Sequence, residues 1–200
     1  MKQLKPTGVI QFQGKTYKLY LYYNRVLDAF DILHRNDLEN YDKIELSVAL
    51  FTNWHWRALQ LKPQHLLKLY QTIFKKHIEL QHNRKSSKPQ QRLVDFRFDF
   101  DLIFGSFKRA YGIDLIKERE RLDWYRFITL FQSLPQDTKI REVMNIRGRE
   151  IPRQTKYNSK EIQNLMELKQ YWALPCDCLE NNYHEQLGVL FDNLKRMSKG

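Results

Sequence analysis

The stretch Val9-Ile10-Gln11-Phe12-Gln13-Gly14-Lys15-Thr16-Tyr17-Lys18-Leu19-Tyr20-Leu21-Tyr22 reads as two short strands, Val9–Gln13 and Thr16–Tyr22, around Gly14-Lys15. Tyr17, Leu19 and Leu21 alternate with Lys18 and Tyr20, the period of a half-buried strand. Gly14 supplies the positive φ that a tight hairpin requires. A lone hairpin is marginal in water, so it must pack on other elements.

Those elements are helices. Asn24 is placed to cap a helix over about Arg25–Arg35, with Val26, Leu27, Phe30 and Leu33 on one face. Ile44, Val48 and Phe51 mark a second helix. Pro63 fits the first position of a third, whose apolar stripe is Leu66, Leu67, Tyr70, Ile73, Phe74 and His77. Further on, Asp101 is placed to cap a helix carrying Leu102, Ile103, Phe104 and Phe107, with Gly112 just past its end. A long helix is predicted over Leu115–Leu134, charged in its first half and carrying Leu122, Trp124, Phe127, Ile128 and Phe131 in its second. Pro135 stops it. Asp137 starts a short helix with Ile140, Val143 and Met144, closed near Gly148. Asn158 with Glu161 resembles a capping box for a helix bearing Ile162, Leu165, Leu168 and Trp172, ended by Pro175. A last helix is predicted from about Tyr183, with Leu187, Leu190, Phe191 and Leu194. The fold class is therefore mostly α, an N-terminal β-hairpin packed on a multi-helix bundle.

The run Gln81–Gln91, QHNRKSSKPQQ, has no hydrophobic anchor. It reads as part of a basic linker over 83–94, between a hairpin-plus-helix region 1–82 and a helical region 95–200. Whether the two share one core stays open at this level.

The 200 residues carry 34 Lys and Arg against 23 Asp and Glu, a formal charge of +11. Residues 41–91 alone hold +6 of it, densest at Lys75, Lys76, Arg84, Lys85 and Lys88. Such a patch suits phosphate, nucleic acid or an acidic protein surface, and equally a solvated helix end with a basic loop. No apolar run approaches the roughly 20 residues of a membrane span. Met1–Pro6 has no apolar region of the kind found in a secretory signal. Cys176 and Cys178, one residue apart, are poorly placed for a structural disulfide and suit a reducing compartment.

Motifs for chemistry are sparse. The glycines stand too far apart for a phosphate-cradling loop, no Ser sits in a G-x-S-x-G elbow, and no H-E-x-x-H occurs. Cys176, Cys178 and His184 do not have the usual spacing of a zinc site. Asp95, Asp99 and Asp101 interleave with Phe96, Phe98 and Phe100. In an extended segment this puts the rings on one face and the carboxylates on the other, a structural pattern rather than a catalytic one. Trp54-His55-Trp56-Arg57 is an aromatic cluster beside a cation, suited to stacking but more simply a packed helix end.

The run Phe98-Asp99-Phe100-Asp101-Leu102-Ile103-Phe104-Gly105-Ser106-Phe107 is followed by Tyr111-Gly112-Ile113-Asp114-Leu115, Leu122-Asp123-Trp124-Tyr125-Arg126-Phe127 and Leu134-Pro135-Gln136-Asp137-Thr138. With Ile146-Arg147 and the Leu168-Lys169-x-Tyr171-x-Ala173-Leu174 tail, it resembles a tail protein family of siphophages infecting Gram-positive hosts, named after the fifteenth gene product of one such phage. The resemblance spans about 9–175 and is sharpest over 96–150. Asp123 stands where the pattern has His, and the basic loop 83–92 and residues 176–200 fall outside it.

The resemblance implies a tail assembly chaperone, encoded just before the tape-measure protein and keeping it soluble while the tail tube polymerises. It brings no catalytic motif. The expectation is a non-enzymatic protein without cofactor, working in the host bacterial cytoplasm on a tape-measure or tail-tube protein, self-associating and binding no membrane. Candidate partner-binding side chains are Trp124, Phe127 and Phe131 on one helix stripe, with Trp54 and Trp56. The alternative, a nucleic-acid-binding accessory protein, rests on Lys75, Lys76, Arg84, Lys85 and Lys88.

Overall fold

The computed structural model describes residues 4–54, 61–79 and 92–175. Its architecture is mostly α, with seven α-helices and one two-stranded hairpin among those residues. Two compact units divide the described chain. The first comprises residues up to 79 together with Ile116–Leu130; the second comprises residues 92 to Leu115 and Phe131 to 175. They are thus not two successive halves of the sequence: after the second unit has begun, a segment of the chain returns to the first.

In the first unit, β1 (Gly8–Phe12) pairs antiparallel with β2 (Lys15–Leu19), with Phe12 opposite Lys15. Gln13 and Gly14 both take positive φ, 50° and 72°, giving the two-residue turn whose twist matches the strands. Both strands end earlier on their C-terminal side than their alternation suggests. Leu21–Tyr23 instead run beside residues 122–124. Tyr22 bridges Asp123, Trp124 N–H donates to Leu21 O at 2.7 Å, and Tyr23 N–H donates to Leu122 O at 3.0 Å.

The helices α1 (Tyr23–His34), α2 (Asn40–Thr52) and α3 (Pro63–Ile73) follow, and α3 runs on into a π-helical turn, Phe74–Ile78. Pro63 does open α3. Asn24 does not cap α1, because the helix begins one residue before it. Its Oδ1 instead accepts the Glu120 N–H at 2.9 Å. The predicted long helix over Leu115–Leu134 is also corrected: only α5 (Trp124–Gln132) is α-helical there. Glu120 stands at φ 57°, and residues 122–124 are engaged by Leu21–Tyr23, so the α ladder cannot extend back through them. Apolar stripes pack the interior. Phe51 stacks on Tyr70 at 6.2 Å between ring centroids, and Phe30 meets Trp124 edge-on at 5.8 Å.

In the second unit, α4 (Phe100–Tyr111) ends on Gly112 at φ 68°, as its sequence suggests. Ile103 and Phe107 from α4 and Ile140 and Val143 from α6 (Lys139–Gly148) are all fully buried. The last described helix, α7 (Ser159–Tyr171), starts after Asn158 without the capping-box bonds. Asn158 folds its own approach loop, its Oδ1 accepting Thr155 N–H at 2.6 Å, while Glu161 pairs with Arg149 at 3.0 Å. The helix predicted from Tyr183 lies outside the described residues.

Asp28 on α1 is half-buried, and burial, outweighing the charges of Arg119 and Arg25, raises its carboxyl pKa above the ordinary value. A raised folded-state pKa contributes stability that is complete below the unfolded value and is lost as pH rises through the folded one. Asp28→Asn should therefore be at least as stable as the wild type at neutral pH, with any advantage fading in acid. Urea midpoints followed against pH check this, and a clear loss at neutral pH would show that the two arginines dominate.

Candidate interaction surface

Along α6, Ile140, Val143 and Arg147 recur at helical spacing on the buried face, so the arginine is carried inward by the stripe it belongs to. Its guanidinium makes four hydrogen bonds. Nη1 and Nη2 fork onto the Asp99 carboxylate at 2.6 and 2.8 Å, Nη1 also reaches Leu93 O at 2.9 Å, and Nε donates to Trp172 O at 2.6 Å. Asp99 is 1% exposed and Arg147 5%. Removing either partner would strand a buried charge.

The loop before α4 is shaped to deliver Asp99. Asp95 Oδ1 accepts the N–H groups of Arg97 and Phe98, both at 2.8 Å, an Asx-type turn. Asp95 N–H donates to Asp99 Oδ2 at 2.9 Å, and Arg92 pairs with the Asp95 carboxylate. The extended alternation expected here is replaced by a turn, which buries Asp95 and Asp99, leaves Asp101 exposed and Phe98 53% exposed, and keeps Phe96 and Phe100 half-buried. The buried Arg147 and the turn's own N–H groups satisfy the two carboxylates, so their burial is tolerated.

The same network seats α7. Arg147 takes the Trp172 carbonyl just past its end, Lys169 Nζ donates to Arg147 O at 2.6 Å, and Lys139 lies over the Trp172 ring at 5.1 Å. Leu165 is the one buried residue of α7 itself. Polar contacts thus carry much of its attachment and leave Leu168 and Tyr171 outside. Leu168 is 45% exposed and Tyr171 77%. Three residues apart, they share a face, and Tyr171 packs edge-on against Trp172 at 4.8 Å. Met166 is exposed on another side of the helix, and Tyr157 and Ile151 are exposed in the approach loop.

A family model described as Bacteriophage Gp15 protein matches residues 4–174. The chain belongs to that family. The Gp15 match spans both units and takes in the entire Arg147 network and α7. Neither a curated protein nor a solved structure matches the chain.

The aromatic stripe singled out in the sequence is not a surface in this Gp15 protein. Trp124 is 4% exposed, Phe127 is fully buried, and Phe131 is buried as well. Trp124 stacks on Phe127 at 5.7 Å and donates its indole N–H to Ile78 O at 3.0 Å, while Phe127 stacks on Tyr23 at 5.0 Å. Phe131 meets Phe96 edge-on at 5.1 Å. Buried aromatic contacts of this kind stabilise the interior, and that removes the stripe as a docking site. Trp54 is half-exposed beside the Tyr17 ring at 5.9 Å, and Trp56 lies outside the described residues.

Lys75 and Lys76 are exposed on the π-helical turn. Partial desolvation and then the Lys76 charge hold His77 below its ordinary pKa, so it adds little positive charge to that turn at neutral pH. Arg84, Lys85 and Lys88 lie outside the described residues. Among the described residues no three His, Cys, Asp or Glu side chains gather as metal ligands, and no helix is long and apolar enough to cross a membrane.

Sequence reasoning missed Arg147 and the surface of α7. The available signal for the arginine was its place in the Ile140–Val143 stripe, where an apolar residue is expected. Arg147→Ala should lower stability by about 3–5 kcal/mol in urea unfolding. Arg147→Lys, keeping the charge without the fork, should recover only part of this. An alanine variant within about 1 kcal/mol of the wild type would show the network to be dispensable.

Proposed function

We propose that this protein is a non-enzymatic tail assembly chaperone that holds a phage tail component, such as the tape-measure protein, in solution during tail morphogenesis. Membership of the Gp15 family supports a role in building the phage particle. The observation that carries the reading to a surface is the exposure of Leu168 and Tyr171 on a helix held by buried polar contacts. A holding protein needs apolar surface that a client can cover, and a helix-rich client docks through its own apolar face. Self-association would multiply weak contacts along a long client. No bond need be made or broken.

Co-expression tests it. The wild-type chain should raise the soluble fraction of the tape-measure protein several-fold and co-purify with it. Leu168→Ser/Tyr171→Ser, which changes only exposed groups, should fold normally and lose most of that gain. No gain with the wild type, or full gain with the variant, would count against the reading.

Exposed Lys75 and Lys76, on a turn next to the most basic part of the sequence, favour one second reading, a nucleic-acid-binding accessory protein. It predicts binding to duplex DNA that weakens linearly in a log–log plot against salt, with a slope reduced in Lys75→Ala/Lys76→Ala. Absence of binding at low salt would eliminate it.

A further inference from the structure

Among the described residues, the sheet consists of β1 and β2 alone. In a hairpin closed by a two-residue turn, the closing pair exchanges main-chain hydrogen bonds, and bonded pairs then alternate along the ladder. Phe12–Lys15 and Ile10–Tyr17 are therefore bonded pairs, and Val9 and Gln11 direct their N–H and C=O groups away from β2. No hydrogen bond from a described residue meets them on that side. Val9 is 59% exposed, and Gln11 is exposed too.

Proteins normally guard such an edge with lysine, proline, a bulge or a covering element. The guards here stand on the other strand, since β2 carries Lys15 and Lys18, both exposed. From Gly8 to Phe12, β1 has no charge and no proline. Its sequence is also compatible with a copy of itself. An antiparallel register centred on Ile10 sets Val9 of each copy against Gln11 of the other, so that all the outward N–H and C=O groups of these residues are paired. Gly8 then faces Phe12, small against large, and no like charges oppose each other within the strand.

We propose that two copies of this chain associate through β1, antiparallel, into one continuous four-stranded sheet. A helical client cannot fill this edge, because its main-chain groups are already bonded within the helix. The contact gives a physical route to the self-association that the chaperone reading invokes. It is tested without any client, so its failure and the failure of that reading are separate results.

Sedimentation velocity on the full chain over a concentration series should show a monomer–dimer equilibrium. Hydrogen exchange at the Val9 and Gln11 amides should slow as the dimer forms. Added salt should tighten the dimer, because each copy carries +11. Gln11→Pro removes an outward N–H that β2 does not use, and Val9→Lys adds a charge beside the edge. Each should weaken the dimer at least about tenfold, with far-UV circular dichroism unchanged and with a thermal midpoint equal to that of the wild type at a concentration where both are monomeric. A monomer at every concentration would overturn the proposal. So would a wild-type dimer whose Val9 and Gln11 amides exchange freely, or a dimer that both substitutions leave intact.

Discussion

The second unit depends on a single guanidinium. Arg147 on α6 reaches Asp99 and the Leu93 carbonyl in the loop before α4 and the carbonyl just beyond α7, so α6, that loop and the end of α7 share one buried cation. The Asp99 carboxylate makes its burial tolerable, and the two-pronged geometry fixes direction as well as charge. A hydrophobic contact would have held α7 with less directional precision and would have used up the apolar side chains that now face outward. Polar anchorage and apolar exposure of α7 are therefore two sides of one arrangement.

The first unit uses the same device. Arg25 on α1 donates to Leu50 O at 2.9 Å and Asn53 Oδ1 at 3.1 Å, at the end of α2, and to Glu120 Oε1 at 3.0 Å. Asn53 stands at φ 54°, in the left-handed conformation that commonly ends a helix. Asn24, next to Arg25, takes the Glu120 N–H. Two neighbouring polar residues of α1 thus organise a helix end and a distant loop. Both arginines satisfy carbonyls that their helix ends leave unbonded, a cost that falls on buried backbone unless some donor arrives.

Much of this fold could be read locally. Gly14 and Gly112 sit at the positive φ values their surroundings demand, Pro63 opens its helix, and the stripe of α3 is buried through Leu66, Tyr70 and Ile73. These features depend on residues a few positions apart. The misreadings share the opposite property. Asn24 has the right chemistry for a cap, but Glu120, far along the chain, claims its oxygen. The charged run Lys117–Arg121 has good helix formers, yet Leu21–Tyr23 engage the residues just after it. Asp95, Asp99 and the phenylalanines between them alternate cleanly, but the backbone there is a turn and not a strand. Asp99 is buried because an arginine 48 residues away neutralises it. Periodicity cannot see such a partner. The candidate surface was lost for the same reason: an apolar stripe does not say whether it faces a core or a client, and Trp124 and Phe127 face the core.

The energetic scale of what remains exposed bears on how a client would be held. Fully burying a leucine-sized side chain gains about 1.5–3 kcal/mol, and Leu168 is already half covered, so this pair gains a few kcal/mol at most from a docking helix. Set against the cost of immobilising two molecules, that supports only weak association at one site. Weakness would suit the proposed chaperone, which would have to release its client to a growing structure. On that proposal one copy on its own would hold poorly, and useful retention would require several such surfaces acting on the same client. The proposed function would therefore depend on the number of linked copies as much as on the chemistry of α7.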